Sequence, residues 1–521
     1  MKNRNTRDSI NKVLRKHPTL MYIVPVLMII AMIALLSLTN AVASSSAGAS
    51  GTDNTASEVN WAKNFGGADY SYFISTTADG SGYVAVGTSF SNGDWTGTAG
   101  KYSIDAIIVK FDTNDNVTWV KNFGGLGHDG FDSVVAVSDG YVAVGLSEAG
   151  SFGNGDWAGV SGKGNYDATI VKFDTNGNVT WAKNFGGRGE DQFVSVIAVD
   201  GGYVAVGISE SGSFGNGNWA GATGNGDHDA IMVKFDTDGN VIWAKNFGGL
   251  DYDVFFSVTA DSSGYVAAGY SGPASFGNGD WVGIAGKGGK DAIMVKFDTD
   301  GNVIWAKNFG GNSDDQFSSV TADSSGYVAA GTSWTLSFGN GDWTDITGVN
   351  SPDGIIVKFG TGGSVEWKNC VGWSAGGMLY SVITVDGGYV AAGNFLSTSS
   401  GSDGGSGAII NFDTGGNLKW EKDFGENDEN VFSSVTAVSD GYVVAGYSFG
   451  GSFSNGGLVD FSGKGGIDAI IVKFGTTPET IPSNDLGYSA SNAILWVGIA
   501  AAIIVIIAVI AAFTMNRGRT I

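Results

Sequence analysis

Tryptophan sets the period of this chain. Trp61, Trp119, Trp181, Trp243, Trp305, Trp367 and Trp420 recur at intervals of about 60 residues, and four successive intervals are 62 residues long. A repeat of that length constrains the fold more than any composition. Each unit is too small to bury a core alone, so the units must stack on one another and share one architecture.

The unit beginning at Trp181 shows what is repeated. It runs Trp181-Ala-Lys-Asn-Phe185, then Phe193-Val-Ser-Val-Ile-Ala-Val199, Gly202-Tyr-Val-Ala-Val-Gly207, a long loop, and Asp229-Ala-Ile-Met-Val-Lys-Phe235. Each run is short, rich in β-branched residues and bounded by Gly, Asn or Asp, which predicts four strands per unit. Asp236-Thr-Asp-Gly-Asn240 has the composition of a tight hairpin, and the chain's 85 glycines fit many such turns. The prediction is an all-β fold: a seven-bladed β-propeller of four-stranded antiparallel blades, occupying 58–476. The array opens with a lone Trp strand, Val59 to Phe65, and closes with three strands ending at Phe474. The first strand should therefore complete the last blade and close the ring, where an open solenoid would need caps. With one cysteine, Cys370, no intrachain disulfide can assist.

The ends read differently. Lys2, Arg4, Arg7, Lys12, Arg15 and Lys16 precede an apolar run from Met21 to Leu38, and Ala41-Val-Ala43 offers a cleavage site, so 1–43 is expected to be a signal peptide or a retained signal anchor helix. Residues 44–57 and 477–492 read as Ser/Thr/Gly/Asn-rich linkers. Residues 493–515 are apolar throughout and are followed by Arg517 and Arg519, which predicts a transmembrane helix with 516–521 as a cytoplasmic tail. The expected setting is the cell membrane, single-pass, or two-pass if the first segment is retained, with the propeller outside. A net charge of −23 argues against nucleic acid as a partner.

Asn-Phe-Gly-Gly, an Asp two residues before an aromatic, Asp139-Gly-Tyr-Val-Ala-Val-Gly145 and Asp105-Ala-Ile-Ile-Val-Lys-Phe-Asp112 together resemble the β-propeller repeat (SBBP-type) family of secreted and surface-anchored bacterial and archaeal proteins. The resemblance spans all seven units. It implies the propeller and a prokaryotic surface setting, and little about function, because one fold hosts many activities.

Two loop types are expected on one face of the ring. The first carries Asp129, Asp191, Asp253 and Asp315, with Ser71, Gly377 and Asn430 in the other units. These carboxylates read either as a ring holding a cation such as calcium or a sugar hydroxyl, or as caps on loop amides. Recurrence favours caps. The second type carries Trp95, Trp157, Trp219, Trp281 and Trp343 among Gly, Asn and Asp. These rings suit stacking on carbohydrate, or pinning of a glycine-rich loop.

Asp236 to Asn240 matches the start of a calcium loop but lacks its bidentate Glu, which leaves a hairpin as the better reading. Asn116 and Asn178 stand in Asn-Val-Thr sequons and are candidate glycosylation sites.

No catalytic constellation stands out. His17, His128 and His228 lie in different parts of the chain, without aligned partners for a triad or a metal site. Asp-x-x-Gly-x-x-x-Trp, as in Asp236 to Trp243, is similar to the tryptophan motif of quinoprotein propellers. That makes an oxidoreductase the enzymatic alternative. The expected function is a non-catalytic binding or adhesion module without a cofactor, engaging a polysaccharide or an envelope protein and held by its C-terminal helix. A structural envelope component is the other non-enzymatic alternative.

Overall fold

The computed structural model describes residues 59–90, 93–95, 104–348, 352–371, 376–396, 405–425, 430–449 and 463–475. The expected signal segment, linkers, transmembrane helix and tail lie outside the described residues. Among the described residues, no helix is long and apolar enough to cross a membrane.

Seven four-stranded antiparallel sheets make up the described chain. Blade one runs from an inner strand, Ser71–Ala78, through Gly82–Ser89 and Asp105–Asp112 to an outer strand, Val117–Phe123. Blades two to six repeat this order, starting at Asp129, Asp191, Asp253, Asp315 and Gly377. Blade seven takes Asn430–Val438, Gly441–Phe449 and Ile467–Gly475 from the end of the array, and Val59–Phe65 from its beginning. Inner strands of successive blades touch, and that of blade seven touches that of blade one, so the ring is closed.

The closing seam copies the ordinary ones. Phe65 pairs with Ala469 and Ala62 with Val472, and Asn64 Nδ2 donates to Asp468 Oδ2 at 2.8 Å, as Asn308 Nδ2 does to Asp291 at 2.7 Å within blade four.

Burial explains the repeat's wording. The third strand of each blade lies between its neighbours and within a stack of sheets, so its Ala-Ile-Ile-Val run is buried on both faces. Both glycines of Gly-Tyr-Val-Ala-Val-Gly have steric causes. Gly82 has φ +141, and a Cβ there would meet Phe111 O at 2.0 Å. A Cβ on Gly87 would lie 1.9 Å from Tyr72 O.

The second clash arises because every inner strand carries a β-bulge. The register shifts between Phe73 and Ser75, Phe131 and Ser133, and at the equivalent place in the other five blades. A bulge inserts an unpaired residue and re-aims the side chains around it.

The period-marking tryptophans bind blade to blade. Trp119 Nε1 donates to Thr175 O, Trp305 to Thr361 O and Trp367 to Thr414 O, each the hairpin of the following blade, at 3.1–3.2 Å. Another inter-blade staple joins Asp79 to Lys110 Nζ at 2.7 Å and to the hydroxyl of Tyr141 in the next blade. Asp261 repeats it with Lys296 and Tyr327.

Candidate functional site

The nine loop residues singled out by recurrence are placed in the interior. Asp129 Oδ2 accepts the Gly125 amide at 2.8 Å and the Ser151 hydroxyl at 2.6 Å, while Oδ1 accepts the Trp157 indole at 3.0 Å. Asp191, Asp253 and Asp315 repeat the first two bonds with Gly187 and Ser213, Gly249 and Ser275, and Gly311 and Ser337. The indoles of Trp219, Trp281 and Trp343 donate to Ser209, Ser271 and Ser333 at 2.9–3.1 Å.

None of these four carboxylates, and none of the five tryptophans including Trp95, is more than 3 % exposed. Two loop motifs that look separate in sequence are one buried assembly. Burial raises the pKa of Asp129, Asp191 and Asp315, and pushes Asp253 up to about 6, against the pull of the serine and glycine donors.

The hairpin carboxylates are also satisfied by their own turns. Asp236 Oδ1 accepts the amides of Asp238 and Asn240 at 2.9 and 2.8 Å, and Gly239 takes φ +76. Asn116 and Asn178 are exposed on equivalent hairpins, with Asn178 Nδ2 donating to Asp174 at 2.9 Å.

What reaches solvent at the ring's axis comes from the bulges. A central channel of about 430 Å³ is lined by the inner strands of all seven blades. One layer is serine throughout: Ser75, Ser133, Ser195, Ser257, Ser319, Ser381 and Ser434. The hydroxyls of Ser75, Ser133, Ser257, Ser319 and Ser381 accept backbone amides from the next blade, Ser257 from Val320 and Ser319 from Val382, both at 3.0 Å. Ser434 accepts from Thr76 at 3.1 Å and carries the pattern across the closing seam.

The bulged residues form a second layer that differs from blade to blade: Ile74, Asp132, Val194, Phe256, Ser318, Tyr380 and Ser433. Asp132 is the carboxylate of this lining. Gln192 Nε2 from blade three donates to it at 2.8 Å, yet burial dominates and pushes its pKa up to about 6.

Gln192 leads from the channel wall to a second cavity of about 260 Å³, set over blades two to four. Its walls include His128, Tyr166, Glu190, His228 and Tyr252. Each stands immediately before a buried aspartate in the first two positions of a strand, at the seam where neighbouring blades meet. Parallel bridges pair Tyr166 with Glu190 and His228 with Tyr252.

His128 and His228, which lack aligned partners in sequence, therefore line one cavity. The seam brings an inner-strand start beside a third-strand start of the previous blade, a relation that no single repeat displays. His228 and Tyr252 rings are 4.6 Å apart, and His128 and Tyr166 meet edge to face at 6.1 Å. Tyr252 stacks on Tyr270 at 5.9 Å, and Tyr270 meets Phe256 at 5.7 Å. An aromatic row thus runs from the channel wall to the loop face.

Burial lowers the His128 pKa against the opposing pull of Glu148. Burial, aided by Tyr270, Glu190 and Asp227, pushes Tyr252 up to about 12. Among the described residues, no group of three or more His, Cys, Asp or Glu side chains could hold a metal ion.

No family model matches the chain. The regulatory protein FlaEY of Caulobacter vibrioides is 24% identical over 170 residues, which are 31% of this chain and 18% of that protein. The chain thus spans less than a fifth of that relative.

Among solved structures, the WD40 β-propeller domain of Doa1 matches with a TM-score of 0.40 and 13% identity over 78% of this chain and 95% of that one. A europium-containing methanol dehydrogenase has a TM-score of 0.37 and 10% identity over 80% of this chain and 93% of that one. A Trypanosoma rangeli sialidase complexed with sialic acid has a TM-score of 0.33 and 9% identity over 80% of this chain and 57% of that one. The chain is a seven-bladed propeller by its own strand order, and that fold fits a binding or scaffold module.

Proposed function

We propose that the chain is a membrane-anchored, extracytoplasmic, non-catalytic binding module that takes its ligand at the channel mouth over blades two to four. One observation carries the reading: positions that vary between blades converge there on a cavity, with Asp191 the one repeated loop carboxylate in its wall, whereas Asp129, Asp253, Asp315 and the recurring tryptophans are consumed inside the blades. The cavity lining contains no serine, threonine or cysteine. Its rings and carboxylates are side chains suited to contact, which supports binding.

Anchoring is supported by the apolar run 493–515 with its basic flank, and by the basic N-terminal segment. The resemblance to surface propeller repeats supports a prokaryotic envelope setting, with a polysaccharide or another envelope protein as the source of the ligand.

The test uses the full-length chain in detergent, probed on glycan and peptide arrays beside its Tyr252→Ala variant. Expected is at least one ligand retained by the parent chain and lost by the variant, with the folded spectrum unchanged. Retained ligands that ignore Tyr252→Ala, or no ligand on either array, would overturn the assignment of this mouth. Protease shaving of intact cells should digest the propeller; full protection would overturn the outward orientation.

A further inference from the structure

We infer that the cavity over blades two to four receives an organic cation, an ammonium or guanidinium group carried by a small molecule or by a lysine or arginine side chain of a partner. The inference deepens the binding reading above and rests on it.

The walls have the right chemistry. Four rings, His128, Tyr166, His228 and Tyr252, line the cavity, and the faces of the two tyrosines are electron-rich. Carboxylates surround them. Glu190 is part of the lining, Glu148 accepts the His128 amide at 3.0 Å, and Asp227 Oδ2 lies 3.3 Å from His228 Nδ1. No lysine or arginine belongs to the lining. Both phenols are raised first by burial and then by these acids: Tyr166 by Glu148 and Glu190, Tyr252 by Glu190 and Asp227 as well as Tyr270. The acids' share of that shift favours a positive charge in the cavity, whereas the burial that leads it opposes any charge and also lowers the His128 pKa. A volume of about 260 Å³ admits a head group and a short stem.

The next seam supplies a precedent within the molecule. Tyr166, His228 and Lys290 occupy the same place in successive blades, each immediately before the aspartate of the third strand. Lys290 Nζ sits 4.4 Å from the ring centre of Tyr270. The protein thus places its own cation on an aromatic face at the seam of blades four and five. At the two preceding seams the lysine's position holds a ring and Leu146 and Ile208 stand in the place of Tyr270, so the rings gathered there, Tyr166 and His228 with Tyr252, have no lysine of the lining upon them.

The experiment titrates the full-length chain in detergent with choline, methylguanidinium and the neutral isostere 3,3-dimethylbutanol, followed by calorimetry. Choline or methylguanidinium should bind roughly tenfold or more tightly than the isostere. Tyr252→Ala should weaken that binding roughly tenfold, Tyr252→Phe should retain it, and Glu190→Gln should weaken it several-fold. Circular dichroism should remain unchanged throughout. Peptides bearing trimethyl-lysine or arginine separate the two sources: tighter binding than the free cation points to a partner side chain, and weaker binding to a small molecule.

Equal affinity for the isostere would overturn the inference, as would indifference to both Tyr252→Ala and Glu190→Gln. A Tyr252-dependent sugar or neutral peptide, with no cation bound, would overturn the cation assignment while leaving the binding reading intact. Absence of every Tyr252-dependent ligand would overturn both.

Discussion

Phe256 and Ser257 are neighbours at one bulge, both line the same channel, and they answer to different demands. Ser257 has a serine counterpart in every blade and spends its hydroxyl on the Val320 amide of the next blade. Phe256 is replaced by Ile, Asp, Val, Ser, Tyr and Ser at the equivalent positions, where the side chain faces the channel. Recurrence here marks what assembles the ring. Variation marks what a ligand would meet. The same contrast holds at the loop face, where Asp129 and Trp157 are sealed inside while the preceding residue, His128, opens onto a cavity.

The largest test of that contrast is Trp157→Ala. The indole is fully buried, packs on Phe123 and Phe152 with ring centres 5.0 Å away, and donates to both Asp129 and Ser147. Its loss should destabilise the propeller by about 3–5 kcal/mol, read from denaturant unfolding. Tyr252→Ala should cost much less. If the two variants unfold alike, the division between structural interior and functional mouth fails.

Ser257→Ala comes next. It strips the acceptor from a part-buried amide without opening a large void, and should cost about 1–3 kcal/mol. Phe256→Ser, one residue away, copies the residue already present in blades five and seven and should leave the ring closed. A Ser257→Ala variant as stable as the parent would show that channel water replaces the hydroxyl, and would sharpen the serine layer into a solvation feature.

These expectations also show which parts of the molecule could be read in advance. Trp spacing, strand alternation and the offset between a lone first strand and a truncated last unit sufficed for seven blades and for closure by Val59–Phe65, because each signal is local or counts along the chain. The site was less legible. Asp129 and Trp157 stand 28 residues apart and satisfy one another, so their shared burial is a tertiary fact.

The channel residues escaped notice because strict alternation would place Phe256 and Ser257 on opposite faces, and only the bulge turns both toward the axis. His128 and His228 belong to different units and different strands, and meet because the seam between blades juxtaposes them. The useful signal was present but weak: positions just before a recurring Asp that hold His, Tyr, Glu or Lys in place of a fixed residue.

The smallest effect concerns the one carboxylate in the variable layer, and its sign follows from linkage. Asp132 is held near pKa 6 in the folded ring, above the value of about 4 expected for an unfolded aspartate, because burial outweighs the Gln192 bond. Between those two values the folded state binds more protons than the unfolded one. The group's contribution is therefore full below about pH 4 and is lost as the pH rises through 6. Asp132→Asn keeps the shape and removes the charge, so the variant should match the parent near pH 4 and exceed it by about 1 kcal/mol at pH 8. That figure is less than a sealed carboxyl would give, since the side chain meets channel water. Comparing variant with parent cancels Asp253 and Asp291, which are also raised to about 6. A difference that stays flat between pH 4 and 8 would mean that Asp132 is as well solvated as a surface residue. The bulge layer would then be open to bulk water, and a ligand entering the channel would gain nothing from the carboxylate's desolvation.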